Sequence, residues 1–504
     1  MKKLLLLLAV ILITSASLKA QAMPVGYVRD TVVRGLQYPV DFDWTPDGRY
    51  FITQKGGNTA GSCAAGTILV YSSTGTLLST FYDLTSVVDC DFERGVLGIA
   101  VDPDYASNSY VYVYYVHLAS PDKIRIMRFT DVANVGTNPT VILEIDLASY
   151  PPFNNVSNVA GNHFGGIIRF RPSDPNSIYF CIGDLAYHQG DSVLDVANKL
   201  NYPFGKIMRI HKDGSIPTDN PYYDDSIPTV GHCDYIWSYG HRNDFGFTFN
   251  PATDSMYISE NGYNAYDEYD IIHKGGNYGW AACEGNYIYG TTTPCTGHIN
   301  PMTTWGAPLG GVTGTMFYTG SVMPEFDNHI WVADNDYGRI YNLTLGNAPV
   351  YDTVTSNVLW ADITAGGLTT LREGSDGFIY AMKGGYTTNG MIYRIHHTGT
   401  GGAGIATNEQ TDNVIGQNYP NPTTGKTQID YSIAQNASVS IDLFDVTGRK
   451  IKTIQNENNI QAGKHTVEID DLNNFANGSY FYKMTVKQNG KLIYSETKRL
   501  LLVK

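Results

Sequence analysis

The sequence has little positive charge and, beyond its first residues, no long hydrophobic run. Its 504 residues include 34 Lys and Arg against 48 Asp and Glu, which gives a formal net charge of −14. Nucleic-acid binding requires a basic surface, so this balance argues against that class of function and fits an exported soluble protein. No internal segment approaches the roughly 20 apolar residues of a membrane-spanning helix, so we expect no transmembrane segment.

Cysteine is also scarce, and none of the 6 cysteines lies in a Cys-x-x-Cys motif or at the spacing of a Cys/His metal site. An even number of cysteines in an exported protein predicts disulfides. Proximity along the chain favours the pairs Cys63–Cys90 and Cys283–Cys295. Cys181 lies in an alternating strand, which favours a buried thiol over a bridge, and Cys233 is left unassigned.

The one apolar run stands at the N-terminus and has the form of an export signal. Lys2 and Lys3 precede an apolar stretch at 4–13, and Ala20 and Ala22 supply the small residues of a cleavage site. A stretch of this length is too short to span a bilayer. We therefore predict a signal peptide over residues 1–22.

Aromatic residues and glycine are abundant: aromatics reach 12%, with 37 Tyr, and there are 52 Gly. This profile is typical of a turn-rich, all-β protein. A tight turn followed by a short strand of β-branched and aromatic residues recurs along the chain. The turns lie at 46–48, 103–105, 172, 251, 324–325 and 375–377, and the strands at 50–52, 110–113, 178–180, 256–258, 330–332 and 378–380. The repeat predicts a β-propeller, with a large β-sandwich as the alternative.

The propeller pattern ends near residues 395–397, and a glycine-rich linker follows at 398–414. Beyond it, alternating strands predict a small C-terminal β-sandwich over 415–504. This segment carries Asn-Tyr-Pro-Asn-Pro at 418–422, Asp-Val-Thr-Gly-Arg at 445–449 and Gly-Ser-Tyr-Phe-Tyr at 478–482. With these motifs it resembles the C-terminal sorting domain of type IX secretion cargo.

That resemblance implies a Gram-negative host in which the type IX secretion machinery is a partner of residues 415–504. The protein would cross the periplasm and the outer membrane and lose the sorting domain. It would then be secreted or attached to the cell surface. A plain adhesion module is the alternative interpretation of the same strands.

Motifs between residues 162 and 243 could carry chemistry. His163 lies in a glycine-flanked turn, where its imidazole could take a proton near neutral pH. Asp184 follows a strand and could hold that imidazole in its working tautomer. Arg242 and Asn243 follow an aromatic strand, and a guanidinium can stabilise a developing oxyanion while an amide orients a carbonyl. The alternatives are a structural turn histidine, a turn-capping aspartate and a salt bridge at a blade edge.

The loop at 260–268 is acidic and contains glycine. Backbone carbonyls and carboxylates are hard oxygen ligands that suit calcium. The spacing is not that of an EF-hand, and a solvated acidic loop is the alternative.

Further motifs lie at 93–100, 204–210, 239–243 and 274–280, and with those above they form one ordered set along the chain. Together they make residues 39–396 resemble the quinone-dependent sugar dehydrogenases, the glucose/sorbosone dehydrogenase family. The resemblance implies a six-bladed β-propeller that holds pyrroloquinoline quinone (PQQ) at one end of its channel, with calcium. It also implies an enzyme, an oxidoreductase that converts aldose sugars to lactones.

The resemblance also implies roles for individual residues. His163 is the general base, Asp184 its partner, and Arg242 and Asn243 hold the quinone oxygens. Substrate contacts fall on Glu93 and Gln189, and the carbonyls of Gly262 and Tyr263 hold the calcium of the cofactor. A second, structural calcium region matches Asp267, Glu268 and Tyr278, and Trp305 matches an aromatic near the cofactor plane.

The sequence departs from the family where basic residues of the last two blades anchor the carboxylates of the quinone. Asp336 stands at the first of these positions. The second is an Arg-x-Arg-Asp element in the family, and the matching stretch 367–370 has neither of its two arginines. Each charge-assisted contact is worth about 1.5–3 kcal/mol, so losing three would cost several kcal/mol of affinity. Arg339, Arg372 and Lys383 are the candidates to replace them.

This departure keeps a second function open, a secreted propeller without catalysis that binds a glycan or a protein, as in ectodomains of the hedgehog-interacting type. A calcium-dependent lactonase on a similar propeller is a third, weaker match, because the inward carboxylates from several blades that its metal site needs are not evident. In this interpretation the domains are the signal peptide at 1–22, the propeller at 23–397, the linker at 398–414 and the sorting domain at 415–504.

Overall fold

The computed structural model describes residues 23–59, 61–155, 162–186, 195–224, 233–319, 322–398, 414–415, 418, 423–446, 448–488 and 490–504. The chain divides into two compact units. The first covers residues 28–396, and the second covers residues 397–504 together with 24–27. In the described parts of the chain, no helix is long and apolar enough to cross a membrane.

The first unit is a six-bladed β-propeller, in which every blade is a four-stranded antiparallel sheet. Blade one is β2 (Pro39–Trp44), β3 (Tyr50–Gly56), β4 (Ala65–Tyr71) and β5 (Leu77–Asp83). Blade two is β6 (Val96–Val101), β7 (Tyr110–His117), β8 (Lys123–Val132) and β9 (Val135–Asp146), with the short helix α1 (Tyr105–Asn108) after its first strand. Blade three is β10 (Ile168–Arg171), β11 (Asp174–Ile182), β12 (Lys206–His211) and β13 (Ile236–Tyr239).

The other three blades follow the same plan. Blade four is β14 (Asp244–Phe249), β15 (Met256–Glu260), β16 (Tyr266–Ile272) and β19 (Thr303–Gly306), with the hairpin β17 (Cys283–Glu284) and β18 (Tyr287–Ile288) inserted before its last strand. Blade five is β20 (Val312–Tyr318), β21 (His329–Asp334), β22 (Arg339–Gly346) and β23 (Thr353–Asp362). Blade six is β24 (Leu368–Glu373), β25 (Ile379–Lys383), β26 (Gly390–His397) and β1 (Tyr27–Leu36).

The first strands of the blades form the inner ring. They contact one another in the order β2, β6, β10, β14, β20, β24, and β24 contacts β2 again. The fourth strand of blade six is the N-terminal strand β1, so the two ends of the unit pair in one sheet and close the propeller. Closure leaves few open sheet edges, which is how propellers avoid edge-to-edge association.

Each predicted turn-and-strand unit is the first hairpin of one blade, so the repeat is confirmed. The turn at 46–48 joins β2 to β3, where Gly48 N donates to Thr45 O at 2.8 Å. In blade five the corresponding strand, β21, buries Ile330, Trp331 and Val332 between its neighbours. The apolar and aromatic residues after each turn thus form the packing surfaces between blades.

The second unit is a small β-sandwich of two antiparallel sheets. One contains β27 (Val414–Ile415), β28 (Thr427–Ile433) and β31 (Gly463–Ile469); the other contains β29 (Ala437–Phe444), β30 (Lys450–Ile460), β32 (Gly478–Gln488) and β33 (Lys491–Leu502). Alternate residues of β29, from Ala437 to Leu443, are buried and pack into one core with Tyr482 and Leu500. This alternation is the period-2 pattern from which the strands were predicted.

Both predicted disulfides are present, Cys63–Cys90 and Cys283–Cys295. Cys181 is a buried free thiol, as predicted, and Cys233 is also free and buried. Burial raises the pKa of the Cys181 thiol, which keeps it in the uncharged form.

Candidate functional site

Predicted site residues from blades two, three and four lie at one end of the propeller. Glu93, His163 and Arg242 precede the first strands of blades two, three and four, and Asp184 and Gly262 follow the second strands of blades three and four. In an antiparallel hairpin the start of the first strand and the end of the second lie at the same end. Because the first strands form the inner ring, these side chains gather around one mouth of the channel.

The central contact is a buried pair of His163 and Asp184. The distance from His163 Nδ1 to Asp184 Oδ1 is 2.5 Å, and His163 is 3% exposed. The same carboxylate accepts hydrogen bonds from Trp280 Nε1 at 2.8 Å and from Ala186 N at 2.8 Å. Glu93 Oε2 accepts from His163 N at 2.5 Å. The sequence predicted the histidine and its carboxylate partner, but not Trp280 as the second donor.

The backbone at His163 is held in an unusual conformation. Its φ is +63°, a left-handed value that costs a non-glycine residue about 1–3 kcal/mol. Gly183 makes room for it: a Cβ there would lie 2.6 Å from Arg242 O and 2.9 Å from His163 Cβ. Asp184 N also donates to Arg242 O at 2.7 Å. The glycine thus lets the His163, Asp184 and Arg242 segments approach each other closely.

The guanidinium of Arg242 points to the loop after β15. Its Nη1 donates to Asn261 O at 2.8 Å and to Gly262 O at 2.6 Å. The guanidinium carbon lies 5.5 Å from the ring centroids of both Tyr263 and Trp280. Asn243 is buried beside it, and its carbonyl accepts from Asn261 N at 3.0 Å. The guanidinium is therefore fixed between aromatic rings and backbone carbonyls, next to the Asp184–Trp280 contact.

The loop that carries Gly262 and Tyr263 is shaped by the carboxylate of Glu284. Glu284 Oε1 accepts hydrogen bonds from four consecutive backbone N–H groups, those of residues 263–266, at 2.7 to 3.3 Å. In a planar trans peptide the C=O points opposite to the N–H, so the carbonyls of Gly262 and Tyr263 point away from Glu284. Gly262 has no space for a side chain, because a Cβ there would lie 1.7 Å from Tyr266 O.

A second cluster lies inside blade four and is strongly acidic. Asp244 pairs with Glu260 and Glu260 with Glu268 across adjacent strands, and Asp270 lies two residues beyond Glu268 on the same face. Four of the five residues of the cluster, Asp244, Glu260, Asp270 and His241, are buried and expose at most 5% of their surface, and the fifth, Glu268, is half-buried. His241 Nδ1 lies 3.1 Å from Glu260 Oε2 and 3.5 Å from Asp244 Oδ1.

Nothing in the described residues neutralises this cluster fully. The oxygens of Asp244 and Asp270 are buried and accept no hydrogen bond from the described part of the chain. Burial and the neighbouring carboxylates raise the pKa of Asp244 and Glu268 well above the usual range, and burial with Glu260 does the same for Asp270. Buried carboxylates without a compensating charge lower the free energy of unfolding. Oxygen ligands of this kind bind hard divalent cations.

The predicted structural calcium residues divide between two places. Glu268 belongs to the acidic cluster, and Tyr278 stacks on His241 with ring centroids 4.6 Å apart. Asp267 faces the other way, because adjacent residues of a strand point to opposite faces. Its carboxylate accepts from Gly262 N at 3.0 Å and Gly311 N at 3.0 Å. Sequence reasoning missed Asp244 and Asp270, which the alternation along β14 and β16 brings to the Glu268 face.

Trp305, another predicted residue, lies apart from the His163 pair. Trp305 is on β19, the outer strand of blade four, and lines a cavity of about 430 Å³ with Asp334, Arg339 and Tyr341 of blade five. Gln189 lies outside the described residues.

The basic residues offered as replacements for the family's anchors have different environments. Arg372 lies between Asp41, at 3.7 Å, and Asp43, at 3.4 Å, in the contact of blades six and one. Arg339 pairs with Asp362 at 3.2 Å and stacks over Tyr337. Lys383 is half-buried, and its Cγ is 3.6 Å from the position that a Cβ on Gly367 would take. Asp336 is exposed.

Comparison with known proteins agrees with the fold of both units. The family model described as glucose/sorbosone dehydrogenase matches residues 36–394, and the model described as secretion system C-terminal sorting domain matches residues 417–496. Quinoprotein glucose dehydrogenase B of Acinetobacter calcoaceticus is 30% identical over 287 residues, which is 53% of this chain and 55% of that protein.

A further relative is the aldose sugar dehydrogenase YliI of Escherichia coli, 25% identical over 306 residues, which cover 58% of this chain and 74% of the relative. Among solved structures, the PQQ-bound form of aldose sugar dehydrogenase from Streptomyces coelicolor superimposes with a TM-score of 0.56 at 21% identity. The superposition covers 74% of this chain and all of that one. Since the family model matches residues 36–394, well over half of the chain, the chain belongs to the glucose/sorbosone dehydrogenase family.

Proposed function

We propose that the protein is a secreted, PQQ-dependent oxidoreductase that oxidises aldose sugars to lactones. The observation that carries the proposal is the buried His163–Asp184 pair, fixed by Trp280 and placed beside the guanidinium of Arg242. A histidine oriented by a buried carboxylate and adjacent to a fixed cation is the arrangement that proton abstraction with charge stabilisation requires.

His163 acts as the general base in this proposal. Asp184 accepts from Nδ1, so the neutral ring carries its proton on Nδ1, and Nε2 is the nitrogen that takes the proton of the sugar's anomeric hydroxyl. The carboxylate then stabilises the imidazolium that forms. Glu93 holds the backbone N–H of His163 and, with Gln189, is assigned to substrate contact.

The residues around Arg242 form one part of the site, and this part fits the quinone. Arg242 and Asn243 would hold the quinone oxygens. The carbonyls of Gly262 and Tyr263, which point away from Glu284, would hold its calcium, and Gly262 O would exchange its contact with Arg242 Nη1 for the ion. When bound, PQQ supplies the chemistry of hydride acceptance. The chain's own contribution is to orient the sugar, to take its proton at His163 Nε2 and to offer the positive charge of Arg242.

A second calcium is assigned to the acidic cluster inside blade four. Glu268, Asp270, Asp244 and Glu260 provide the carboxylate oxygens, and the unsatisfied oxygens of Asp244 and Asp270 support this assignment. The cluster holds β14, β15 and β16 together, and β14 follows Arg242 directly. We therefore assign this ion a structural role that positions the Arg242 segment.

The sorting domain indicates export by type IX secretion. We propose that residues 1–22 direct the chain to the periplasm and that the sorting domain takes it across the outer membrane of a Gram-negative bacterium. There it is secreted or attached to the cell surface, where it would meet sugars outside the cell.

The test is reconstitution of the purified protein with PQQ and calcium, with dye reduction followed for glucose and other aldoses. We expect quinone uptake and sugar-dependent dye reduction. His163→Gln should abolish turnover while quinone binding remains, and His211→Gln, a histidine at the end of β12, serves as the matched control. Failure of the wild-type protein to bind PQQ would refute the proposal.

One observation favours a second function, a propeller that binds a glycan or protein without catalysis. The family holds the quinone carboxylates with basic residues at two places. This chain has Asp336 at the first place and no basic residue in the stretch 367–370 at the second. Under this alternative the protein binds sugar in the absence of PQQ and shows no dye reduction with it. Quinone-dependent turnover excludes it.

A further inference from the structure

A lysine that sequence reasoning overlooked lies at the same mouth as His163. Lys55 is the penultimate residue of β3, the second strand of blade one. It therefore lies at the same end of its blade as Gly262, which follows the second strand of blade four. Its backbone N donates to Tyr38 O at 3.0 Å. Blade one adjoins blade six at this point, since Gly385 N donates to Pro39 O at 2.7 Å.

The Lys55 side chain is enclosed, and it is 2% exposed. Its Nζ donates to Phe92 O and lies 4.7 Å from the ring centroid of Tyr386. The rings of Phe92 and Tyr386 contact each other, with centroids 5.6 Å apart, and both residues are exposed, 47% and 46%. The Tyr386 ring of blade six therefore covers a buried ammonium from blade one, and the Phe92 ring, from the segment before blade two, packs against Tyr386.

The charge of this ammonium is only partly matched. Burial lowers the pKa of Lys55 to about 8, while Glu93 and Asp91 act in the opposite direction. An ammonium has three N–H donors, and within the described part of the chain the one acceptor found for Lys55 is Phe92 O. At neutral pH Lys55 is thus a buried cation with donors left for a further acceptor.

Lys55 is also tied to the catalytic histidine through one short segment. Phe92 O accepts from Lys55, and the next residue, Glu93, accepts from His163 N. Gly95 lets this segment pack on the lysine stem, because a Cβ there would lie 2.5 Å from Lys55 Cβ. A group bound at Lys55 therefore lies beside the residues that contact His163.

We propose that Lys55 binds a carboxylate at the mouth of the channel, under the aromatic pair Phe92 and Tyr386. An ammonium beside flat aromatic surface suits a carboxylate carried on a planar ring system or on a sugar ring. Two sources provide this chemistry: a carboxylate of PQQ, which rests on the function proposed above, and the carboxylate of an acidic sugar such as a uronate. The residue is a specificity determinant of the mouth, and it takes no part in proton abstraction.

The experiment compares full-length wild-type protein with Lys55→Met, Lys55→Arg and the surface control Lys123→Met, all checked by thermal melting. In the first arm, PQQ is titrated into each protein with calcium present, and uptake is measured by fluorescence quenching. In the second arm, binding of D-glucuronate and of D-glucose is measured by calorimetry. Loss of one charge-assisted contact weakens binding by about ten- to a hundredfold.

If PQQ affinity falls by this factor in Lys55→Met and returns in Lys55→Arg, the carboxylate belongs to the quinone. If PQQ affinity is unchanged but the preference for glucuronate over glucose disappears, it belongs to an acidic sugar. If neither ligand distinguishes Lys55→Met from Lys123→Met, the inference is wrong while the proposed function stands. If wild type takes up no PQQ, the proposed function fails, and the glucuronate arm alone decides the role of Lys55.

Discussion

Replacing Asp184 with asparagine tests the catalytic assignment most sharply, because the donors around this carboxylate are known. Asp184 Oδ1 faces His163 Nδ1 and Ala186 N, and Oδ2 faces Trp280 Nε1. An asparagine has one oxygen and one NH₂ group for these two sides. Trp280 Nε1 and Ala186 N can only donate, so the NH₂ group of the amide opposes one of these two donors in either orientation.

If the amide oxygen faces Trp280, the NH₂ group faces His163 and Nδ1 must accept. The proton of the imidazole then moves to Nε2, which can no longer act as a base. If the oxygen faces His163, the NH₂ group opposes Trp280 Nε1, and one buried donor pair is left unsatisfied at a cost of about 1–3 kcal/mol. Loss of the correct tautomer lowers kcat by as much as about 10⁴-fold in a comparable histidine–aspartate pair.

The structure therefore predicts that Asp184→Asn lowers kcat strongly and leaves PQQ affinity near wild type, because Asp184 is assigned no contact with the quinone. The double variant Asp184→Asn with Trp280→Phe removes the opposing N–H and should recover part of the lost rate, relative to Asp184→Asn alone. Dye-linked turnover at saturating sugar and a separate quinone titration provide the two readouts. An Asp184→Asn protein with nearly wild-type kcat would contradict the assignment of His163 as an oriented base.

Two further predictions concern charge. Calcium should raise the melting temperature of the apoprotein, since a ligand present at a hundred times its Kd stabilises the folded state by about 2.7 kcal/mol. The double variant Glu268→Gln with Asp270→Asn should lose this shift, whereas Asp213→Asn, on an exposed turn, should keep it. An unchanged shift in the double variant would place the ion elsewhere. Carboxylate binding at Lys55 should be strongest below pH 8 and weaken as the pH rises through about 8. Burial lowers the pKa of Lys55 to about 8 against the charges of Glu93 and Asp91, so the side chain is mainly an ammonium below that pH. Lys55→Arg should remove this pH dependence, and an identical pH profile in both proteins would contradict the prediction.

The fold followed from local patterns, and so did part of the site. Each blade contributes a Pro- or Gly-containing turn and a strand that begins with apolar and aromatic residues, so the repeat was visible without any knowledge of long-range contacts. The pairing of His163 with Asp184 was predictable in the same way, because the two residues flank the first hairpin of blade three. The partnership with Trp280 was not, because it depends on a loop of blade four reaching blade three.

The acidic cluster shows where local reasoning stopped. Asp267 and Glu268 are adjacent in sequence and were assigned to one calcium region, yet strand alternation places them on opposite faces. Applied to β16, the same alternation would have grouped Glu268 with Asp270. Joining Asp244 to them requires the register of three strands, which single-sequence patterns do not provide.

Charge balance at the mouth links the proposed function to the inference about Lys55. PQQ is a tricarboxylate, and Glu93 adds a further negative charge near His163. Asp184 adds another beside His163. Arg242 and one calcium ion supply three positive charges, so the bound site would carry two uncompensated negative charges without further cations. Arg372 is paired with Asp41 and Asp43, and Arg339 with Asp362, so neither is available. Lys55 from blade one would offset one of these charges, and Lys383, the last residue of β25 in blade six, is the other candidate. A quinone bound in this chain would therefore be held in part from a direction that the family's sequence pattern alone does not indicate.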